Sequence, residues 1–255
     1  RGSKDYIDEM ASRYGEDSNA YRVRVLGEFP RSDDDTMIPM DLIESARHRD
    51  VSVNPYAPMV WGLDVARFGA DSSALTKRQA NIVTESPRVW KNLDLMQLTG
   101  AVVAEYQALE IHQQPVAILV DSIGLGAGVV DRLIELGLPA RGINVSESPS
   151  FGSQYRNLRA ELWAKAKSWL ERRDCCIPNN SQLISELATV KYKFASNGKL
   201  QIESKDDIKK RGLKSPDLAD SFVLTFAEDA AIGVHGTAAR GKWEKPLRRS
   251  IPRLS

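Results

Sequence analysis

Residues 59–65 read Met59-Val60-Trp61-Gly62-Leu63-Asp64-Val65, a nearly continuous apolar run broken by an aspartate near its end. A run without alternation of polar and apolar residues predicts a strand that is buried on both faces of a sheet. The stretch Val116-Ala117-Ile118-Leu119-Val120-Asp121 has the same character and also ends on an aspartate. We expect these two strands to form the centre of the fold.

The segments around these two strands indicate how the sheet is built. Short segments at 73–76, 82–84 and 89–90 follow the first strand after turn-forming residues, and such tight connections predict an antiparallel meander. Helices predicted over 95–112 and 124–136 then alternate with strands, which indicates parallel strands joined by right-handed crossovers. The order predicts an α/β fold, an RNase H-like mixed sheet with an antiparallel three-strand meander plus parallel strands, covered by helices.

The remaining segments add helices and a hairpin to this sheet. Helices are predicted over 155–172 and 182–190, followed by a hairpin with arms at 190–194 and 199–202 around an Asn-Gly turn. A last helix is predicted to begin at Pro216. We therefore divide the chain into a leading segment and linker (1–57), a compact domain (58–232) with this added β-hairpin, and a basic, mobile tail (233–255).

Composition excludes several classes of protein. The 255 residues are 42% hydrophobic and 27% charged, which is ordinary for a globular protein. No apolar run approaches the roughly 18 residues of a membrane span, and no signal peptide is recognised. Cys175 and Cys176 are adjacent, so they provide neither a disulfide framework nor a four-cysteine zinc site. The chain opens on Arg1 without an initiator methionine, which suggests a fragment of a longer protein.

The net charge is only +1, but the basic residues are clustered. One cluster lies in the tail, and a second comprises Lys205, Lys209, Lys210, Arg211 and Lys214. Segregated charge of this kind predicts local sites for a polyanion, although a solvated surface is the alternative interpretation.

Three aspartates occupy positions that are expected to be buried, where an ionised carboxylate has to be paired or to bind a metal. Asp64 and Asp121 end the two apolar strands, and Asp217 begins an apolar helix. If the strands are neighbours, their ends meet and the carboxylates converge. Converging carboxylates repel one another unless divalent cations neutralise them, and oxygen-only ligands favour magnesium or manganese over zinc. Taken singly, the three could be a turn residue, a helix cap and a first-turn acid. Asp71 and Asp220 are further candidates, and Asp220 lies one helical step from Asp217.

The sequence argues against two other kinds of site, a dinucleotide-binding turn and a histidine zinc site. The glycines of Gly124-Leu125-Gly126-Ala127-Gly128 follow a strand, but their spacing departs from the dinucleotide-binding fingerprint, so we expect them to allow close packing of helix and strand. No pair of the three histidines has the spacing of zinc ligands.

Several tracts together resemble the nuclease domain of tailed-bacteriophage terminase large subunits. They are Trp61-Gly62-Leu63-Asp64 with Arg67-Phe68-Gly69 and Asp71, Val120-Asp121-Ser122 with Gly124 and Gly126, the helix start Tyr155-Arg156-Asn157-Leu158-Arg159, and the stretch from Leu200 through Ser215-Pro216-Asp217-Leu218-Ala219-Asp220. Residues 21–30 are similar to the stretch that leaves the ATPase domain of that family. In several relatives an acid directly precedes the third ligand; here Pro216 does, so the choice between Asp217 and Asp220 stays open.

The resemblance implies an endonuclease that cuts concatemeric double-stranded DNA during viral genome packaging in the host cell cytoplasm. It implies an upstream ATPase domain, of which 1–57 is the end, and a portal and small terminase subunit as partners. No phosphate-binding loop motif is present, so we expect no ATPase activity here. We expect the isolated piece to be monomeric and not to bind membranes. The alternatives are a non-catalytic DNA-clamping or motor-docking module and an actin-like ATP-binding domain.

The expected chemistry is phosphodiester hydrolysis with two Mg²⁺ or Mn²⁺ ions about 4 Å apart. Asp64 would bridge the ions, and Asp121 and Asp217 would each hold one. Eight basic residues are expected to bind DNA phosphates without reading sequence: Lys191, Lys193, Lys199, Lys205, Lys209, Lys210, Arg211 and Lys214. Lysines on an exposed hairpin also protect edge strands, which is the alternative for the first three.

Overall fold

The structure is a computed structural model that describes residues 4–14, 16, 21, 25–26, 35–52, 54–66 and 71–227. The helices are α1 (Lys4–Tyr14), α2 (Met40–Arg47), α3 (Leu95–Gln107), α4 (Gly126–Glu135), α5 (Leu158–Glu171), α6 (Ser181–Thr189), α7 (Lys205–Lys210) and α8 (Asp217–Leu224), with a short 3₁₀ turn at Ile111–Gln113. The strands are β1 (Met59–Asp64), β2 (Ser73–Gln79), β3 (Ile82–Val83), β4 (Arg88–Trp90), β5 (Ala117–Asp121), β6 (Ala140–Ile143), β7 (Tyr192–Phe194) and β8 (Leu200–Ile202).

The central sheet is mixed, as predicted. Its order is β3-β2-β1-β5-β6, in which β1 pairs antiparallel with β2 and parallel with β5, and β5 pairs parallel with β6. One detail differs from the expected ladder, because β4 returns to β2 beside the first half of that strand instead of continuing from β3. β1 and β5 therefore lie side by side in the middle, where both faces are covered, which explains their unbroken apolar sequences.

Helices cover the two faces of the sheet in different ways. Trp61 and Leu63 of β1 belong to a core shared with Leu98 of α3 and Val129 and Leu133 of α4. Because successive residues of a strand face opposite sides of the sheet, Gly62 and the side chain of Asp64 lie on the other face. That face is covered by α8, whose eight residues are all buried.

Gly62 determines how closely α8 approaches the sheet. A Cβ atom on Gly62 would lie 2.1 Å from the carbonyl oxygen of Ser221, which is closer than two unbonded atoms can come. Only glycine therefore allows α8 to lie directly against β1, two residues before Asp64.

The leading segment joins the main core where it is described. The amide of Met37 donates to the carbonyl of Val190 at 2.8 Å, and Ile38, Leu42 and Ile43 are buried in the cluster that contains Trp163. The domain boundary at 57/58 remains a prediction. Most of 21–30, segment 67–69 and the tail 233–255 lie outside the described residues. Within the described ranges no helix is both long and apolar enough to cross a bilayer.

Candidate metal centre

The ends of β1 and β5 bring two of the predicted acids together. Leu63 is paired with Val120, so Asp64 and Asp121 follow at the carboxyl ends of adjacent parallel strands. Both line one cavity of about 410 Å³, here called the acid cavity. Asp64 is buried at 4% exposure, whereas Asp121 is half-buried and accepts the Ile123 amide at 3.1 Å.

Helix α8 supplies the other two acids, and they face different surroundings. Asp220 lines the acid cavity with Asp64 and Asp121. Its carboxylate accepts hydrogen bonds from Nη2 and Nε of Arg159, at 3.0 to 3.2 Å. It also accepts one from Nε1 of Trp163, at 3.1 Å. Asp217 instead lines a neighbouring cleft of about 600 Å³, where its Oδ2 accepts the Ser72 amide at 2.8 Å.

This neighbouring cleft, here called the lysine cleft, contains Asp71 and three lysines: Lys91, Lys209 and Lys214. Asp71 is paired with Lys209 at 2.8 Å. Helix α8 therefore contributes to both cavities: Asp220 lines the acid cavity, and Asp217 lines the lysine cleft, which also contains Glu186.

The ammonium group of Lys205 lies among the carboxylates. Its Nζ is 2.9 Å from Asp64 Oδ2, 3.5 Å from Asp220 Oδ2 and 3.8 Å from Asp217 Oδ1. Lys205 is the first residue of α7, which is capped by Ser204 through the Asp207 amide. In this structure Lys205 forms an internal ion pair with the site acids, and its contact with DNA remains a prediction.

The electrostatics of the site follow from burial and from these cations. Burial raises the pKa of Asp64, against the opposing effect of Lys205, and burial also raises the pKa values of Asp121 and Asp217. For Asp220 burial acts in the same direction, but the charges of Arg159 and Lys205 outweigh it and hold the pKa below its ordinary value. Nearby positive charge is therefore needed to keep this group of carboxylates ionised.

The donor set fits a hard cation. Carboxylate oxygens from β1, β5 and α8 face a common space in which positive charge is already held, by the ammonium of Lys205. Oxygen-only donors suit magnesium or manganese. Across the described residues, no three His, Cys, Asp or Glu side chains are arranged to hold a metal ion as they stand, which is consistent with carboxylates gathered around the ammonium.

Four of the other seven predicted basic residues form ion pairs, among them Lys209 with Asp71. Lys191 contacts Asp35, Lys210 contacts Asp207, and Arg211 contacts Glu203. Lys193 and Lys214 are exposed and Lys199 is half-buried. Their role in DNA binding remains a prediction.

Three residues of the site were not recognised from the sequence. Arg159 pairs with Asp220, the indole nitrogen of Trp163 donates a hydrogen bond to Asp220, and Glu186 accepts the amides of Leu218 and Ala219 at the start of α8. The close packing expected of the glycine segment is present at Gly126, where a Cβ would lie 1.7 Å from the Asp121 carbonyl oxygen.

No family model matches the chain. The chain is 26% identical over 229 residues to a protein described as a probable terminase, large subunit, of Enterobacteria phage P7. That match spans 86% of this chain but only 46% of the relative, so the chain covers about half of the relative's length.

Among solved structures the chain is similar to nuclease domains of large terminase subunits. The domain from bacterial virus Sf6 has 21% identity and a TM-score of 0.60 over 74% of this chain and 97% of that chain. The large terminase nuclease from thermophilic phage G20c, with bound magnesium, has 13% identity and a TM-score of 0.57 over 78% and 99%. The RNase H-like fold is therefore confirmed, and the curated relative confirms the expected resemblance to terminase large subunits.

Proposed function

We propose that this chain is the endonuclease domain of a bacteriophage terminase large subunit, which cuts concatemeric double-stranded DNA with the help of divalent cations. The observation that carries the proposal is the convergence of Asp64, Asp121 and Asp220 on one cavity, at the ends of adjacent strands and on the helix laid across them. Structures of the similar domains of Sf6 with manganese and of G20c with magnesium support divalent cations as cofactors.

The acids that line the acid cavity are assigned as the metal ligands. Asp64 lies deepest and is the shared ligand, Asp121 is the second, and Asp220 takes the third position because it lines the same cavity. Asp217 and Asp71 face the lysine cleft and are assigned a supporting role. Two cations held by these oxygens would activate the attacking water and stabilise the leaving 3′ oxygen.

DNA is proposed to pass from the acid cavity into the lysine cleft. Lys91 and Lys214 are exposed there, and across the described residues no carboxylate pairs with either. A backbone phosphate next to the one that is cut would contact the ammonium groups of Lys91 and Lys214. Such contacts hold the backbone without selecting a sequence.

The wider biology is inferred from the relatives. Because the chain covers about half of the curated relative, the upstream ATPase domain, the portal and small-subunit partners and the host cytoplasm belong to the proposal for the full-length protein.

A plasmid-nicking assay with Mn²⁺ or Mg²⁺ tests the proposal. We expect Asp64→Ala and Asp121→Ala to reduce nicking by at least about 100-fold, and Asp131→Ala, an exposed acid on α4, to leave it unchanged. Melting temperatures of all variants are measured in parallel. A non-catalytic clamping module would bind DNA without cutting it, and loss of stability without loss of nicking in the Asp64 variant would contradict the assignment.

A further inference from the structure

Helix α8 carries Asp217 and Asp220 but has no side-chain cap of its own. It begins after Pro216, which makes no capping hydrogen bond, so the first amides of the helix need an outside acceptor. Glu186 of α6 supplies it: Oε2 accepts the amides of Leu218 at 2.8 Å and Ala219 at 3.0 Å. Its other oxygen accepts Nε2 of Gln182 at 2.8 Å, which fixes the carboxyl plane.

The opposite end of α8 is held by a buried cation. Arg78 of β2 is 4% exposed and donates from Nε to the Thr225 hydroxyl at 2.8 Å and from Nη2 to the Thr225 carbonyl at 2.7 Å. An acid at the amino end of a helix and a base at its carboxyl end both complement the helix dipole. The two contacts therefore oppose sliding of α8 along its axis in either direction.

The middle of α8 is fixed against the sheet. The Thr76 hydroxyl of β2 lies 2.7 Å from the Ser221 hydroxyl, and Gly62 lets the Ser221 carbonyl approach β1. Motion away from the sheet and motion along the axis are thus controlled by different side chains, and Glu186 is the one that holds the two residues between Asp217 and Asp220, namely Leu218 and Ala219.

We infer that Glu186 is a positioning residue, which sets the place of Asp220 relative to Asp64 by holding the first turn of α8. The inference rests on the proposed function and adds to it a residue that does not line the acid cavity. Oε2 of Glu186 accepts hydrogen bonds from two successive amides, those of Leu218 and Ala219, and so determines where that turn lies. Shortening the side chain by one carbon–carbon bond, about 1.5 Å, would pull the turn away or break the contacts, and misplacement by about 1 Å can cost 100-fold in rate.

The test compares Glu186→Gln with Glu186→Asp. Glutamine keeps the length and an acceptor oxygen, whereas aspartate keeps the charge but not the reach. Glu161→Asp is the matched control, because Glu161 of α5 is also a buried acid, and it accepts at 2.6 Å the amide of Ser150, which belongs to a loop without site acids. For each variant Mn²⁺ affinity is measured by calorimetry without DNA, together with kcat and KM for nicking and the melting temperature.

We expect Glu186→Gln to keep Mn²⁺ affinity and kcat within about threefold, and Glu186→Asp to lower both by tenfold or more. Glu161→Asp should lower only the melting temperature. If Glu186→Asp does not fold, Gln182→Ala, which removes the hydrogen bond to the other oxygen of the Glu186 carboxylate, should lower Mn²⁺ affinity severalfold, and an unchanged affinity would count against the inference.

The two proposals fail in different ways. If the unmodified chain binds Mn²⁺ and nicks DNA, but the aspartate and glutamine variants behave alike, the positioning role is wrong and the proposed function stands. If the unmodified chain neither binds Mn²⁺ nor nicks DNA, the proposed function is wrong and the positioning role falls with it.

Discussion

The ammonium nitrogen of Lys205 lies 2.9 Å from Oδ2 of Asp64, on the side of that carboxylate that faces Asp220 and Asp217. These acids therefore share one monovalent cation, which is part of the protein. A divalent ion that binds the same oxygens has to displace this ammonium group, so metal binding and movement of Lys205 are linked.

Replacing Lys205 by alanine should raise the affinity for Mn²⁺ by about tenfold or more, because the competing charge is gone and the buried carboxylates repel one another. The same repulsion should lower the melting temperature of the metal-free protein. Calorimetry and thermal unfolding measure the two effects. Lys209→Ala, which removes the partner of Asp71, is the control, and equal Mn²⁺ affinities in both variants would show that Lys205 does not compete.

The two acids of α8 should respond differently to substitution. Asp220→Asn is expected to lower Mn²⁺ affinity by more than about tenfold, whereas Asp217→Asn should change it by less than about threefold, because only Asp220 lines the acid cavity with Asp64 and Asp121. Calorimetry without DNA decides between them. The opposite order of losses would assign the third ligand to Asp217.

The lysine cleft predicts a change in the salt dependence of DNA binding. Lys91→Ala and Lys214→Ala should each reduce the slope of log K against log salt by about 1, because each ammonium group that contacts a phosphate releases one counterion. Binding is measured with EDTA present, so that no cutting occurs. Lys167→Ala, on α5 outside both cavities, should leave the slope unchanged; a uniform effect of all three variants would argue against a DNA path through the cleft.

The pH dependence of the free energy of unfolding should reveal the raised pKa of Glu186. Burial raises its pKa from 4.5 to about 7, so the folded chain binds this proton more tightly than the unfolded chain. The resulting stability is fully present below about pH 4.5 and is lost as pH rises through 7. Glu186→Gln has no such proton, so between pH 5 and 8 its free energy of unfolding should rise by about 2 kcal/mol relative to the unmodified chain.

Urea unfolding of both chains in EDTA, at matched pH values, measures this difference. Asp64, Asp121 and Asp217, whose pKa values burial also raises, are present in both chains, so the difference reports Glu186 together with its electrostatic coupling to Asp217. A difference that does not depend on pH would mean that Glu186 is ionised throughout this range.

The two central strands and their terminal acids could be predicted because their signals are local. β1 and β5 are apolar runs that end on Asp64 and Asp121, and strands buried on both faces have this sequence pattern wherever they occur. Helix α7 also has a local signal in the sequence, since Ser204 is followed three residues later by Asp207, the spacing of a capping box.

Contacts between distant segments could not be predicted in this way. Arg159 and Asp220 are separated by 61 positions, and Glu186 and Leu218 by 32. An arginine or a glutamate on an amphipathic helix has the same local pattern whether it faces solvent or a buried partner. The choice between these two surroundings is made by the packing of α5, α6 and α8, which no short window of sequence contains.

The missing side chain of Gly62 has a practical consequence for anyone who transfers this centre to another protein. The acids of α8 reach Asp64 only because backbone touches backbone at that point. A host sheet with alanine there would lift the whole helix, however faithfully the four carboxylates were copied. The graft should therefore begin with that glycine, and the acids should be added afterwards.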